Sequence, residues 1–500
     1  MIFQRTAVIL LFSLCTLFTL EAQPVEKVLT LEEVVKLACD QSPSSMLARH
    51  RFRASYWQHR TYLASMLPSL KLSTTLPEYN KSIGKVVQPD GTEVLTPFNK
   101  INSLGSLALS QKIPFTGGTI SVESEMERID QLQGQGKGTS YLATPVSILF
   151  SQPLFSYNQL GWSRKIEPLR YEEAKKNYVS SMEQVSIQAI EFFFDLASAQ
   201  INLEIAKTNY SNNDTLYKIA LGRYNIGTIA ENELLQMELG FLNAGTQLNE
   251  ANIDLEFRKS RLRSFLGFND NVSLKLIIPR DIPALQLDYN KTLEAAMKNN
   301  PQVITMERQL IEAESDVAQA RSERGFNTSI FARYGINQRS PVFPDVYNNP
   351  VEKNDMQLFT LGLTIPLLDW GQGHGRVKMA KSSEEVVRTQ VEQSRTDFQQ
   401  NVFLQVMQFN LQDDQLKIAM KADTIGTLRY EVTKQRFLIG KIDVLDLNVA
   451  LTEKDQARRR YVEAVRNYWS FLYNIRRLTL FDFIKDLPLE PEDGYDSLLE

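Results

Sequence analysis

The sequence predicts a mainly α-helical chain that also carries membrane-type β-strands, the whole duplicated in tandem. Three observations predict this. One motif recurs in a fixed register, the helical patterns are too long for a globule, and the segments between them alternate like strands. The recurring motif is RFLIGKIDVLDL, Arg436 to Leu447, with a diverged copy in RYNIGTIAENELL, Arg223 to Leu235.

At the N-terminus Arg5 precedes an apolar run from Ala7 to Leu20, followed by Glu21-Ala22 and then Gln23. A charged front, a run too short to span a bilayer and a small residue at the cut read as a secretory signal peptide over residues 1–22. The rival reading is a lipoprotein signal with Cys15 lipidated; Leu14 stands where such signals place a small side chain. Once the signal is removed Cys39 is the one cysteine left, which excludes a disulfide framework. No later apolar run approaches the ~20 residues of a membrane helix. An exported chain of this kind is either soluble or crosses a membrane as strands. Composition is that of a folded protein, 43% hydrophobic and 23% charged with net charge −4, without the basic surplus of a nucleic-acid binder. Acid gathers at the end, where Asp482 to Glu500 holds seven carboxylates and one lysine, the pattern of a solvated, loosely ordered tail.

A shift of 213 carries Arg223, Tyr224, Ile226, Gly227, Ile229, Glu233 and Leu234 onto Arg436, Phe437, Ile439, Gly440, Ile442, Asp446 and Leu447. The same shift carries Pro153-Leu154 onto Pro366-Leu367 and Leu262-Arg263 onto Ile475-Arg476. Earlier in each copy, VVKLACDQSP (Val34 to Pro43) resembles TLEAAMKNNP (Thr292 to Pro301) with a shift of 258. The first copy therefore holds about 45 extra residues between Pro43 and Pro153. The resulting segments are a first repeat 23–267 (helix 30–66, strands about 69–152, long helices 160–267) and a linker 268–285. A second repeat 286–480 (helix 290–325, strands about 328–366, long helices 373–478) and an acidic tail 481–500 follow.

From Met182 to Tyr224, apolar or aromatic residues recur at alternating spacings of three and four, interrupted only at Asn213. That is a heptad seam, and a sustained 3.5-residue period implies a left-handed supercoil. A second stripe, Ile187, Ile190, Phe194, Ala197 and Ile201, runs beside it. Two seams pack a helix against a neighbour on each side, as in a bundle or a closed ring. About 60 residues at ~1.5 Å each make a rod on the order of 90 Å, longer than an ordinary bundle holds.

Between the helices, Gln357 to Pro366 and Ser329 to Asn337 alternate with period two. Leu70 to Leu76 and Val146 to Gln152 occupy the corresponding places in the first copy. The extra residues add a pair, Leu104 to Ile113 and Thr119 to Glu127, in which Ile120, Val122 and Met126 oppose Ser121, Glu123, Glu125 and Glu127. About 9–11 residues suffice for a membrane-spanning strand, and carboxylates are acceptable facing a water-filled lumen. One chain offers four to six strands, too few to close a water-filled barrel, so other copies must complete it. A trimer would give twelve or eighteen. The soluble alternative is a small sandwich capping the bundle.

Signal peptide, duplication, strand pairs flanked by very long heptad helices, and a break of the form Arg-aromatic-x-x-Gly ending in acidic-Leu together resemble the TolC family of outer-membrane efflux proteins. The resemblance covers nearly the whole mature chain. It implies a homotrimer in the outer membrane: a β-barrel to which the strands contribute, continuing into an α-barrel tunnel of coiled helices in the periplasm. It also implies a passive duct without cofactor, coupled through a periplasmic adaptor to an inner-membrane transporter. On that reading each break is a turn at the tunnel's far tip. Gly227 and Gly440 suit the left-handed conformation that ends a helix. Arg223 and Arg436 favour its carbonyl end, and Glu231 and Asp443 the amide end of the next helix. The turns formed by Arg223, Tyr224, Gly227, Glu233, Arg436, Phe437 and Gly440 are expected to dock the adaptor. The family often lines its entrance with two acids three residues apart after the second turn. Asp446 holds the first place, whereas Val449 holds the second, a departure; Asp443 either supplies the other carboxylate or serves as a surface cap. The second break is thus the expected gate. The first, with Asn232 and Glu233, is the expected docking surface.

Enzyme chemistry finds no support. Only His50, His59 and His374 exist, and no nucleophile elbow, phosphate loop, Cys/His cluster or HExxH is present. GQGHGR, Gly371 to Arg376, falls at a strand-to-helix junction and matches no phosphate-binding spacing. A periplasmic coiled-coil adaptor or scaffold is the competing reading; it explains the helices and leaves the strands unexplained.

Overall fold

The computed structural model describes residues 25–87, 91–133, 137–268, 272–279, 281–491 and 494–499; the expected signal peptide, with Cys15, lies outside the described residues. The first repeat runs β1 (Val25–Leu29), α1 (Leu31–Gln41), α2 (Pro43–Ala64), β2 (Ser69–Val87), β3 (Glu93–Lys112), β4 (Thr119–Gln131), β5 (Gly138–Leu154), α3 (Gln159–Asn225) and α4 (Glu231–Leu266). After β6 (Val272–Leu276), the second repeat runs α5 (Tyr289–Asn299), α6 (Pro301–Arg324), β7 (Asn327–Ser340), α7 (Asp345–Asn348), β8 (Glu352–Thr364), α8 (Gln372–Leu438) and α9 (Val444–Thr479). Two short strands, β9 (Phe481–Asp482) and β10 (Leu487–Pro488), follow.

The two sequence registers are also structural registers. Helices α3 and α8 have 67 residues each and α4 and α9 have 36 each, their ends offset by 213. Start signals repeat as well. Thr30 caps α1 in a capping box with Glu33. Asp288, 258 residues on, caps α5 by accepting the Lys291 amide. Pro43 and Pro301 open α2 and α6, where a proline's missing N–H is no loss. Among the described residues no helix is long and apolar enough to cross a membrane.

The chain divides into two compact units, with α3 and α8 each contributing residues to both. One unit, Ala54–Ala174 with Gln302–Thr396, contains an antiparallel sheet in the order β2-β3-β4-β5-β7-β8. All six strands join one sheet, which decides between four and six. Its two faces differ in chemistry because the register aligns like with like. One cross-strand row reads Leu70, Leu109, Val122, Ile148, Tyr334, and every member is exposed. The adjacent row on the opposite face reads Lys71, Ala108, Glu123, Ser147, Gly335. On that polar face Arg333 pairs with Glu125 at 3.5 Å. The register shifts in β5 between Ala143 and Ser147; there a Cβ at Gly335 would lie 2.7 Å from Ser147 Cβ, so only glycine fits. Beneath the sheet, Arg308 joins Glu173 (2.7 Å) and Glu312 (2.8 Å), and the Tyr157 and Ser315 hydroxyls share a hydrogen bond of 2.6 Å. Each link into a long helix is fixed by one polar side chain. Asn158 accepts the Gly161 amide, and Asp369 accepts those of Gly371 and Gly373, which holds its carboxyl below the ordinary range.

The other unit comprises the residues up to Arg53, Lys175–Pro301, and the chain from Asp397. Its core is set by both predicted stripes of α3: Val185, Ala189 and Leu196 from the seam, and Ile190, Phe194 and Ala197 from its neighbour, are buried against Leu262, Leu266 and Val465. Two segments depart from the sequence reading. The linker 268–285 contains β6, which pairs in parallel with β1 from Val25↔Val272 to Leu29↔Leu276, burying Leu29 and Leu274. The acidic tail is docked rather than solvated. Asp482 is 5% exposed and pairs with Arg476, Arg53 donates to the Leu498 carbonyl, and Tyr495 packs on Phe52. Five of the tail's carboxylates lie beyond Asp486, so composition hid the aromatic and the buried acid that hold it.

Arg476 is the hub of that docking, with Glu183 (3.1 Å) and Asp482 (3.3 Å) both buried against it. Burial pushes the Glu183 carboxyl up and the Arg476 guanidinium opposes this. Removing the cation leaves two buried acids facing each other, so Arg476→Ala should cost about 3 kcal/mol in denaturant unfolding. Arg477→Ala, next in sequence but exposed, should cost no more than about 0.5 kcal/mol. Equal costs would show that the ion pairs do not hold the tail.

Candidate functional site

Both breaks end their helices in the same way. Gly227 takes φ +75° and Gly440 φ +73°. The Gly227 amide donates to the Tyr224 carbonyl (2.8 Å) and Thr228 to Arg223 (2.9 Å); Gly440 donates to Phe437 (2.9 Å) and Lys441 to Arg436 (3.0 Å). These paired bonds satisfy the last carbonyls of each long helix. No atom lies within 4 Å of a Cβ built at either glycine, so the requirement is the backbone angle and not space.

The next helices start differently. Asp443 caps α9 by accepting the Asp446 amide at 3.0 Å. Its repeat partner Ala230 gives α4 no side-chain cap, and Glu231 and Glu233 supply negative charge in the first turn instead. Asp443 and Asp446 are both exposed, three residues apart; capping uses one oxygen of the first and leaves the pair open to solvent.

The structure brings the breaks together through Arg223. Its guanidinium lies 5.5 Å over the Phe437 ring and donates to the Leu438 carbonyl at 3.3 Å. A cavity of about 300 Å³ between the turns is lined by Arg223, Glu233, Phe437, Gly440 and Asp443 among others. Tyr224, Gly227, Arg436 and Asp446 stand outside it. The expected docking residue Phe437 is only 6% exposed, packed with Leu216, Met237, Tyr430 and Leu447, whereas its equivalent Tyr224 is 39% exposed. The ring of Phe437 therefore holds the turn from inside and offers no surface.

Exposed apolar surface at the turns comes from other residues. Ile226 is 75% and Ile439 66% exposed, each just before its glycine. The sequence carried that signal, an isoleucine kept in both copies at a turn where solvent-facing polarity is the rule. A polar layer behind the turns carried no periodic signal. There the Asn209 amide donates to Asp455 (2.6 Å), Asn212 to the Tyr430 hydroxyl (3.2 Å), and the Lys454 ammonium lies 4.3 Å over the Tyr430 ring. Burial pushes the Tyr430 phenol up to about 12, with Glu431 and Asp455 adding to the effect. Among the described residues no group of three His, Cys, Asp or Glu could hold a metal ion.

Comparison with known proteins agrees with this geometry. Residues 292–479 match the family described as outer membrane efflux protein. No curated protein matches the sequence. Among solved structures, the chain is similar to the Campylobacter jejuni CmeC outer membrane channel, with TM-score 0.64 and 15% identity over 92% of this chain and 87% of that one. It is similar to the outer membrane protein VceC of Vibrio cholerae, with TM-score 0.63 and 13% identity over 92% and 97%. The open state of the Neisseria gonorrhoeae MtrE outer membrane channel matches with TM-score 0.57 and 14% identity over 90% and 88%. At such identities these likenesses establish the fold. The family match covers residues 292–479, which is the second repeat.

Proposed function

We propose that this chain is an outer membrane efflux protein that works as a head-to-tail trimer, a passive exit duct fed by an inner-membrane transporter through a periplasmic adaptor. The observation that carries the assembly is that each unit of the chain ends in two uncovered edges. Contacts order the long helices as α4, α3, α9, α8. Tyr210 of α3 stacks on Phe241 of α4 at 5.2 Å, Asn209 of α3 bonds Asp455 of α9, and Arg458 of α9 pairs with Asp423 of α8 at 2.9 Å. The two outer helices keep apolar stripes at heptad spacing in the open. On α4 these are Leu235, Leu239, Leu242, Ile253 and Phe257; on α8, Leu404, Leu411, Ile418, Ile425, Leu428 and Val432, each 53% exposed or more. Charge matches as well. Residues 231–257 hold six acids and no base, while residues 417–436 hold five bases and two acids. A stripe on one helix that fits a different helix makes a heterologous contact, which closes only as a ring. Three copies give twelve long helices and eighteen strands, with β8 of one copy beside β2 of the next.

In this assembly the sheet's apolar face meets lipid and the face bearing Glu123 and Glu125 lines water, as a membrane barrel requires. The adaptor or scaffold alternative does not account for that sheet or for the family match. The tips carry Ile226 and Ile439 outward as the docking surface for the adaptor, and Asp443 and Asp446 rim the entrance, attracting cations. The protein contributes a path and no chemistry.

Cysteines at Leu239 and Leu428, each twelve residues from its turn, should cross-link between copies. Leu239→Cys with Leu428→Cys is expected to give covalent trimers on denaturing gels; monomers closed within one chain, or no cross-link, would refute the α4–α8 contact. Gly440→Val should abolish most export while heat-modifiable trimers still form in the outer membrane, because a β-branched residue resists the left-handed turn. Export at the normal rate would remove the turn from adaptor docking. Asp443→Asn with Asp446→Asn keeps a cap on α9 and removes charge, so cation preference in planar-bilayer recordings should fall; unchanged selectivity would place these acids away from the pore.

A further inference from the structure

At one end of the six-stranded sheet the chain leaves an apolar collar uncovered. The register puts the β3–β4 turn, the end of β5 and the end of β8 at this same end. Phe115 in the turn is 80% exposed, Phe155 after β5 is 71%, and Leu367 and Trp370 after β8 are 91% and 90%. Phe155 and Trp370 also sit at positive φ, 62° and 52°, where bulky side chains are uncommon and held at a cost. Side chains so displayed in both repeats lie just beyond the sheet's last paired residues.

Cations border this collar. Arg164 lies 4.8 Å over the Phe115 ring and Lys165 4.6 Å over Trp162. Lys378 occupies in the second copy the place of Lys165 in the first, and all three cations are exposed. An amphipathic ring such as Trp370 at the edge of an apolar band marks headgroup depth, and exposed cations there attract anionic lipid.

We propose that the collar is a phospholipid-docking surface: its rings enter the periplasmic leaflet of the outer membrane, and Arg164, Lys165 and Lys378 hold anionic headgroups. This rests on the membrane-spanning role of the sheet and adds a lipid preference to it.

The full chain, reconstituted in phosphatidylcholine vesicles doped with either brominated phosphatidylglycerol or brominated phosphatidylcholine, tests this by tryptophan quenching. The share lost in Trp370→Phe belongs to Trp370. That share should be quenched several-fold more by the brominated phosphatidylglycerol. Lys165→Gln with Lys378→Gln should erase most of the preference, about fivefold for each cation removed. Raising salt on the unaltered chain should do likewise. Equal quenching by both lipids would overturn the headgroup preference, and quenching by neither would overturn the docking surface, leaving the collar to water or to a second copy. Leu361→Trp, on the sheet's apolar face, separates the two readings. If it is quenched by both lipids while Trp370 is not, the collar proposal alone fails; if it is quenched by neither, the spanning sheet fails.

Discussion

Backbone amides and carbonyls along a strand edge have no partner in hydrocarbon, and an unpaired row there costs several kcal/mol per group. Strands β2 and β8 each present such a row, because the six-stranded order ends with them. The same lack of closure recurs in the helices. Leu239 on α4 and Leu428 on α8 are 59% and 62% exposed, in stripes that in a finished coiled coil would be buried knobs. In the proposed assembly, neither unit of one chain is complete in its own solvent. On that proposal much else follows: exposed stripes that one chain cannot bury, a polar sheet face that tolerates Glu123 and Glu125, and a stability shared with the other copies.

Duplication supplied the backbone, and divergence supplied the function. Offsets of 213 and 258 preserve helix lengths, caps and the two left-handed glycines, which are properties of the main chain. The side chains inside the turns have parted. Tyr224 stayed at the surface while Phe437 moved into the core; Arg223 reaches across to the second turn; Ala230 leaves α4 uncapped where Asp443 caps α9. Two turns with equal backbones thus present different chemistry, with the capping Asp443 on one and the cross-brace from Arg223 on the other.

That division explains what the sequence could reveal. Local, periodic features were legible: the α3 stripes at Phe194 and Leu196, the hairpin around Glu123 and Glu125, and the terminating glycines each follow from spacing alone. Features that depend on distant partners were not. The parallel pairing of Val25–Leu29 with Val272–Leu276 joins residues some 247 apart, and although Val272–Leu276 alternates, its partner Val25–Leu29 does not. The tail reads as solvated because its acids dominate composition, while Tyr495 and Asp482, which hold it, are single residues. Phe437 looked like a tip because it stands beside the glycine; only the neighbouring Arg223 and Tyr430 show that it points inward.

Packing also grades along the helices in a way that bears on opening. Toward Phe193, Phe194, Leu262 and Leu266 the interior is apolar and fully buried. Toward the turns it becomes polar and incomplete: Asn209 and Asp455 pair through one atom each, Asn209 Oδ1 has no hydrogen-bond partner among the described residues, and a cavity of about 300 Å³ remains between the breaks. A region with fewer apolar contacts and an unfilled cavity opens at lower cost than the core behind it. Polar pairs can exchange partners with water as they separate, so moving these helices exposes little apolar surface. If the proposed entrance lies at these turns, the same polar and incompletely packed residues would let it be both closed and openable. In that proposed opening the Arg223 brace is the contact that would have to loosen, since it ties the two turns through the Phe437 ring and the Leu438 carbonyl at once.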